Sequence, residues 1–288
     1  MVQYSEVQDG RAGASPAAIS AHYDLSEEFF RLWIGADLIY SCALFDGTQD
    51  LAEAQRRKLD YHIAAAGAAG ANSVLDVGCG WGALLNRLVE HADVKRAVGL
   101  TLSPSQARWV ERTARPGVEV RYEHWRDHVP ARRYDAIISI GAFEHFVHRG
   151  LDSASKLAVY RDFFAFCDRA LVSRGRLSLQ TIAYGLTPRD VDPFIFERIF
   201  PESELPLIWE PIVAADGKFE LIALRNDREH YFRTLRIWER NLNAHRDEAV
   251  AIVGEEVFTD FRRYLRDSAA GFQSGLACLL RMAFAKSS

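Results

Sequence analysis

The chain has 288 residues, 49% of them apolar and 26% charged, and its 35 basic side chains against 39 acidic ones leave a formal net charge of −4. Such a chain can bury a sizeable core and falls in the globular class, and its charge would not draw in nucleic acid or an anionic membrane in bulk. The longest weakly polar stretch, residues 63–71, falls far short of the roughly 20 apolar residues a membrane span needs. The N-terminus lacks a signal pattern, and Cys42, Cys79, Cys167 and Cys278 are widely spaced with no C-x-x-C. Together these predict a cytoplasmic protein with reduced thiols and no zinc site.

In chain order, residues 1–15 are polar and glycine-dotted and predict loose chain. Residues 16–33 read as a helix with Phe29, Phe30, Leu32 and Trp33 on one crowded face. A second helix is expected from Leu51 to Ala66, with Arg56, Arg57 and Lys58 as a solvated face. From Ser73 the period changes. Short apolar runs at 73–77, 96–101, 118–122, 134–140 and 176–182 alternate with helical stretches at 81–91, 104–113 and 151–171. That alternation predicts right-handed crossovers and a parallel sheet with helices on both faces.

Beyond Ile182 the alternation stops. The proline-rich stretch 187–211 holds Phe194, Phe196, Ile199 and Phe200. It resists regular structure yet is too apolar to dangle, so it is expected to cap the sheet edge. A strand at 218–225, amphipathic helices at about 228–244 and 247–270, and a closing strand at 276–285 follow. The predicted architecture is α/β: a doubly wound, Rossmann-like sheet in one domain. Residues 1–70 form a helical segment that completes the site, 71–182 the α/β core, and 183–288 a capping segment with further helices and closing strands.

The run Val74-Leu75-Asp76-Val77-Gly78-Cys79-Gly80-Trp81-Gly82 ends the first strand and opens a helix. Glycines there permit a tight turn and let a ligand approach converging N–H groups. The same run satisfies the dinucleotide fingerprint, but that reading wants an acidic residue about 20 positions on. Here the second strand ends Gly99-Leu100-Thr101-Leu102-Ser103, with Gln106 following and no carboxylate. Asp76 just before the glycines is instead the arrangement of methyltransferases that bind S-adenosylmethionine, where a carboxylate attracts the ligand's charged amino-acid end.

From His22 to about Lys286 the chain resembles the cyclopropane fatty acid synthases and mycolic acid cyclopropane synthases. The likeness rests on five motifs in the family's order. These are His22-Tyr23-Asp24-Leu25-Ser26 with Phe29-Phe30; Tyr40-Ser41-Cys42-Ala43; Leu75–Gly82; Gly99–Ser103 with Gln106; and Ser139-Ile140-Gly141-Ala142-Phe143-Glu144-His145-Phe146. The resemblance implies a class I methyltransferase fold. It also implies S-adenosylmethionine-dependent transfer of a methyl or methylene to an alkene carbon of a hydrophobic substrate (lipid-like, isoprenoid or polyketide-like) through a carbocation. Tyr40 and Ser41 match the pair at the cofactor's methionine portion, and Asp76, Gly78, Gly80, Trp81 and Gly82 match the glycine loop. Thr101, Leu102 and Gln106 match the segment at the ribose and amino-acid end, and Trp125 with Arg126 the pair beside the adenine; Ile140 joins this cofactor set. Glu144, Tyr231 and Cys42 match residues that help hold a bicarbonate ion in the synthases, and His145 and Gln180 complete the candidate catalytic set.

Position 180 departs from the family, which carries histidine there in a His-Thr-Ile run; this chain has Gln180-Thr181-Ile182. Glutamine can donate a hydrogen bond but carries no charge, so a bicarbonate site is expected to be weaker, reshaped or absent. Ser268 likewise stands where some mycolic acid synthases have cysteine. Methylation that regenerates an alkene therefore stays open beside ring closure, as do cyclopropane fatty acid synthesis proper and N- or C-methylation of a small specialised metabolite. Glu144, His145 and His148 lack the order of a metal motif, and His124 and His128 could share a helix face without completing a ligand set. Trp33, Phe194 and Phe200 are candidates for a lipid-like pocket. Apart from Arg56–Lys58 there is no dense basic cluster, which favours a soluble or carrier-bound substrate.

Overall fold

The computed structural model describes residues 13–15, 18–19, 25–185 and 194–287. Short polar side chains set most of its early helix starts. Ser26 and Asp50 accept the N–H of the residue three further on and cap α1 (Glu27–Ile34) and α2 (Leu51–Ala65). Helix α3 (Ala83–His91) starts without a side-chain cap from Gly82, directly out of the glycine loop. Ser103 and Asp152 cap α4 (Pro104–Thr113) and α5 (Ser153–Ala170) in the same way as the first two.

Between these helices run β1 (Ser73–Val77), β2 (Arg96–Thr101), β3 (Val118–Tyr122), β4 (Tyr134–Ile140) and β5 (Leu171–Tyr184); β6 (Phe219–Asn226) and β7 (Ala277–Lys286) follow later. They form one seven-stranded sheet in the order β3-β2-β1-β4-β5-β7-β6. The first five strands pair in parallel. The expectation of a parallel sheet holds only for them, because β7 runs antiparallel to both β5 and β6. Strand order reverses between β1 and β4, and the carboxyl ends beside such a switch are where ligands of open α/β sheets bind.

Alternate residues of the parallel strands enter two different cores. Val74, Ala97, Ala136 and Ile138 pack with Leu59 and Ile63 of α2 and Leu84, Leu85 and Leu88 of α3. Leu75, Val77, Ile137, Leu177 and Leu179 pack with Tyr160, Phe163 and Phe164 of α5. A period of two with both phases buried is the mark of a sheet covered on both faces. A third core is aromatic. Phe29, Phe30 and Trp33 of α1 meet Trp238 of α7 (Arg228–Ala244) and Phe258 and Phe261 of α8 (Arg246–Ser274, kinked at Gly254).

Several elements differ from expectation. The first predicted helix is not continuous: Ala18 and Ile19 are helical, but Leu25 and Ser26 are not, and Ser26 caps a separate helix, Glu27–Ile34; His22, Tyr23 and Asp24 lie outside the described residues. Strand β5 begins at Leu171 rather than Arg176. In the capping stretch, Ile195–Ile199 forms one π turn, and α6 (Glu210–Ala215) is a short helix with proline in its first turn, where no N–H is needed. Residues 124–127 form a turn, so His124 and His128 share no helix face; His128 is buried, with Nε2 2.9 Å from Tyr134 Oη. Among the described residues no helix is long and apolar enough to cross a membrane.

Gly99 on β2 is where the loop and α3 close onto the sheet. A Cβ there would lie 2.6 Å from Leu85 Cδ1 and 2.7 Å from both Cys79 Cβ and Sγ. Gly99→Ala is therefore expected to destabilise the fold by about 1–3 kcal/mol through overpacking, read as a lower midpoint in thermal or denaturant unfolding.

Candidate active site

Two cavities lie along the carboxyl edge of the sheet. The first, of about 150 Å³, is lined by the glycine loop, the ends of β1, β2 and β4, and the stretch after α1. The second, of about 440 Å³ and largely apolar, is lined by residues from the capping segment, α7 and α8. Tyr40, Ser41, Gly141 and His145 belong to both walls, so the two spaces adjoin.

The first cavity brings together Tyr40, Ser41, Asp76, Gly78, Gly80, Trp81, Thr101, Leu102, Gln106, Trp125 and Ile140. The loop's shape depends on missing side chains. Gly78 has φ +82°, and a Cβ on it would lie 2.4 Å from Ala142 Cβ; Gly80 has φ +54° and would place a Cβ into open space. The N–H groups of Gly78 and Cys79 both donate to Leu100 O, which ties the loop to β2. Thr101 Oγ1 donates to Gln106 Oε1 at 2.7 Å. Asp76 is 2% exposed and its Oδ1 has no partner. Burial raises its pKa to about 7, with Lys58 pulling it down.

Two expected members are not in this wall. Gly82 instead starts α3, against Val110. Arg126 sits with its guanidinium carbon 5.0 Å from the Trp125 ring centre and pairs with Asp162 at 3.3 Å. Lys58, Glu123 and His124 line the cavity unannounced. Lys58, read from its arginine neighbours as part of a solvated face, is 1% exposed, and its Nζ donates to Ser41 Oγ at 2.7 Å. A signal was present: Ala54, Gln55, Lys58, Leu59, His62 and Ile63 share the buried face of α2 at helical spacing.

The second cavity receives Glu144, His145, Gln180 and Tyr231. Strand β4 ends at Ile140, so Glu144 sits just past it, in the 3₁₀ turn Phe143–His145. Its Oε1 accepts the N–H of Ile182 at 2.6 Å, while Oε2 is buried with no partner. Burial raises the Glu144 pKa to about 7, against the Ile182 N–H. Burial also pushes His145 down to about 4, so its imidazole is neutral near pH 7; Nδ1 lies 2.7 Å from Ser203 Oγ. Gln180 Oε1 accepts from Arg281 Nε at 2.9 Å and lies 3.2 Å from His62 Nε2, which leaves its –NH₂ end as the group for the cavity. Tyr231 packs on Phe272 with ring centres 4.6 Å apart, and Phe200 and Tyr264 add further aromatic wall.

Cys42 is not in either wall. It is fully buried, its Sγ lies 3.6 Å from Arg281 Nη2, and burial drives the thiol up to about 12. The thiol is therefore un-ionised and lies against the Arg281 guanidinium. Of the three aromatics expected at a lipid-like pocket, Phe200 lines it. Trp33 lies in the aromatic core, and Phe194 lies under Arg263 at 4.0 Å.

A carboxylate held at an elevated pKa is a stability liability. The unfolded chain loses the Glu144 proton near pH 4.5, whereas the folded chain keeps it to about 7. Between those values folding becomes less favourable as pH rises, and above 7 the full penalty applies. Glu144→Gln is thus expected to raise stability at pH 8 by about 2–3 kcal/mol, and to change it little at pH 5. Melting temperatures at the two pH values check this.

The first cavity fits a ligand with a charged amino-acid end and a flat ring: an orphaned buried carboxylate, an open glycine cradle and a buried indole lie along it. Residues 12–282 match the family model described as mycolic acid cyclopropane synthetase. The chain is 35% identical over 285 residues to cyclopropane mycolic acid synthase 1 of Mycobacterium tuberculosis, covering 90% of this chain and 93% of that one. The solved structure of the mycolic acid cyclopropane synthase CmaA1 complexed with SAH and CTAB superposes with a TM-score of 0.86 at 34% identity, covering 95% and 99% of the two chains. The cyclopropane synthase MmaA2 from Mycobacterium tuberculosis gives 0.85 at 33% identity with the same coverage. The chain belongs to the mycolic acid cyclopropane synthetase family and is an S-adenosylmethionine-dependent methyltransferase.

Proposed function

We propose that this enzyme methylates an alkene carbon of a hydrophobic, lipid-like, isoprenoid or polyketide-like substrate through a carbocation, with Glu144 as the base. The observation that carries the reading is Glu144 itself. It is a carboxylate 5% exposed, with one oxygen unpartnered, in an apolar cavity that shares a wall with the glycine-loop cavity.

Tyr40, Ser41, Asp76, Gly78, Gly80, Thr101, Leu102, Gln106 and Trp125 would hold the cofactor, which when bound supplies an electrophilic methyl group. The shared wall of Tyr40, Ser41, Gly141 and His145 is then where the substrate's double bond meets it. An alkene carbon that gains the methyl leaves positive charge on its neighbour. Aromatic faces of Tyr40, Phe200, Tyr231 and Tyr264 shelter that charge, each worth about 0.5–2 kcal/mol. Neutral His145 adds no opposing charge. The Glu144 carboxylate stabilises the cation and takes the proton that it loses. A proton lost from the neighbouring carbon regenerates an alkene; one lost from the added methyl closes a cyclopropane ring.

Gln180 favours direct uptake by Glu144 over a bicarbonate relay, since its carbonyl is committed to Arg281 and its amide carries no charge. Among the described residues that line the larger cavity there is no lysine or arginine, and a soluble or carrier-bound substrate in the cytoplasm suits such a wall better than a membrane phospholipid.

The test is product structure together with one variant. Incubation with hydrophobic alkenes should add 14 Da at carbon, located by mass spectrometry and NMR; a gain at nitrogen would replace this reading with N-methylation. Glu144→Gln should lower turnover by about two to four orders of magnitude while S-adenosylhomocysteine affinity by calorimetry stays within about twofold. The base must be ionised, so turnover should rise about tenfold per pH unit below 7 and level off above it, and the glutamine variant should lose that limb. Near wild-type turnover in the variant would show that the proton leaves by another route.

A further inference from the structure

Lys58 carries a positive charge into the interior and spends its bond on a neutral hydroxyl, Ser41 Oγ. In the same cavity Asp76 keeps Oδ1 buried and unpartnered. Lone buried charges are costly, and an amine and a carboxyl left unbridged in one cavity lack, once ionised, the pairing that would offset the cost. Such an arrangement is complete only when something carrying both opposite charges enters.

The hydrogen-bond chain gives a direction. A lysine ammonium only donates, so Ser41 Oγ accepts from Lys58, and the serine's own O–H is free to donate onward. Ser41 lines both cavities, so that proton is offered at their junction, backed by the Lys58 ammonium whenever it is protonated. We propose that Lys58, acting through Ser41, is a positioning residue that reads the α-carboxylate of the cofactor's amino-acid end while Asp76 reads its α-ammonium, so that the cavity selects a complete zwitterionic end. Burial and the nearby Arg281 guanidinium lower Lys58 to about 7, with Cys42 and Asp76 opposing; it is a charge waiting for a partner. The inference rests on the glycine-loop cavity being the cofactor site, and not on the alkene reading.

The test is calorimetry with two ligands, S-adenosylhomocysteine and 5′-methylthioadenosine, which keeps the adenosine and sulfur but lacks the amino-acid end. Lys58→Met should weaken S-adenosylhomocysteine about ten- to a hundredfold, the span of a charge-backed hydrogen bond. It should leave 5′-methylthioadenosine within about twofold, which also reports an intact fold. Ser41→Ala should give the same selective loss, and the double variant should lose no more than the larger single one, because both break one chain. Equal weakening of both ligands, or additive losses, would reduce Lys58 to a packing role and overturn the proposal. If Lys58→Met does not fold, Ser41→Ala decides alone: without the selective loss the proposal falls. Gly80→Val, which fills the cradle, should weaken both ligands; if it weakens neither, the cofactor-site assignment is what has failed.

Discussion

Two carboxylates kept out of water govern this molecule. Asp76 is the next-to-last residue of β1 and Glu144 follows β4, so both lie at the carboxyl ends of strands paired side by side, and each leaves an oxygen without a partner. Folding alone would not select that arrangement, since an apolar or amide side chain at either place would cost less. The sheet's two aromatic and aliphatic cores, together with the α1–α7–α8 cluster, supply the surplus that lets the chain hold these groups ready. The site is in this sense stored strain of an electrostatic kind, released when opposite charge arrives.

A second buried system braces the first from behind. Arg281, fully buried on β7, bonds Asp227, the carbonyls of Cys42 and Ala43, and Gln180 Oε1. One guanidinium thus joins the closing antiparallel strand, the start of α7, the stretch that carries Tyr40 and Ser41, and the floor of the larger cavity. The fan of five donors on a planar group makes this possible; a lysine could not reach all four. The antiparallel edge is accordingly part of the site's frame.

The parallel half of the fold is legible because its strands are short runs closed by glycine (β1, β4, β5), by charge (β3) or by a serine–proline helix start (β2), and four of the five strand ranges there match the reading. The failures have local causes. The first residues of β5 include Ser173 and Arg174, which carry no apolar period, and Glu210–Ala215 was hidden by a proline that suits a helix's first turn. At the site, motif residues near the glycines were readable because backbone geometry restricts what can stand there. Lys58 was lost because three consecutive basic residues look solvated, although helical spacing turns the third inward. Cys42 shows the converse: it is next to Ser41 in the chain, yet Ser41 faces the cavities and Cys42 faces Arg281. Adjacency in sequence does not carry a side chain to the same side.

Beyond their shared wall, the two cavities draw on different parts of the chain. The smaller is made mostly by the parallel strands and their loops, with the stretch after α1 and the inner face of α2, the larger mostly by the capping segment, α7 and α8. The latter elements lie outside the β1–β5 crossovers, so they can be recut without touching the glycine loop. Along α8 the larger cavity is bordered by Ser268, Gly271 and Ser274, and a side chain added at Gly271 would meet no atom within 4 Å. That helix face is thus an adjustable bore. Residues exchanged there would set how long or how branched an occupant fits, with the glycine-loop cavity left as it is.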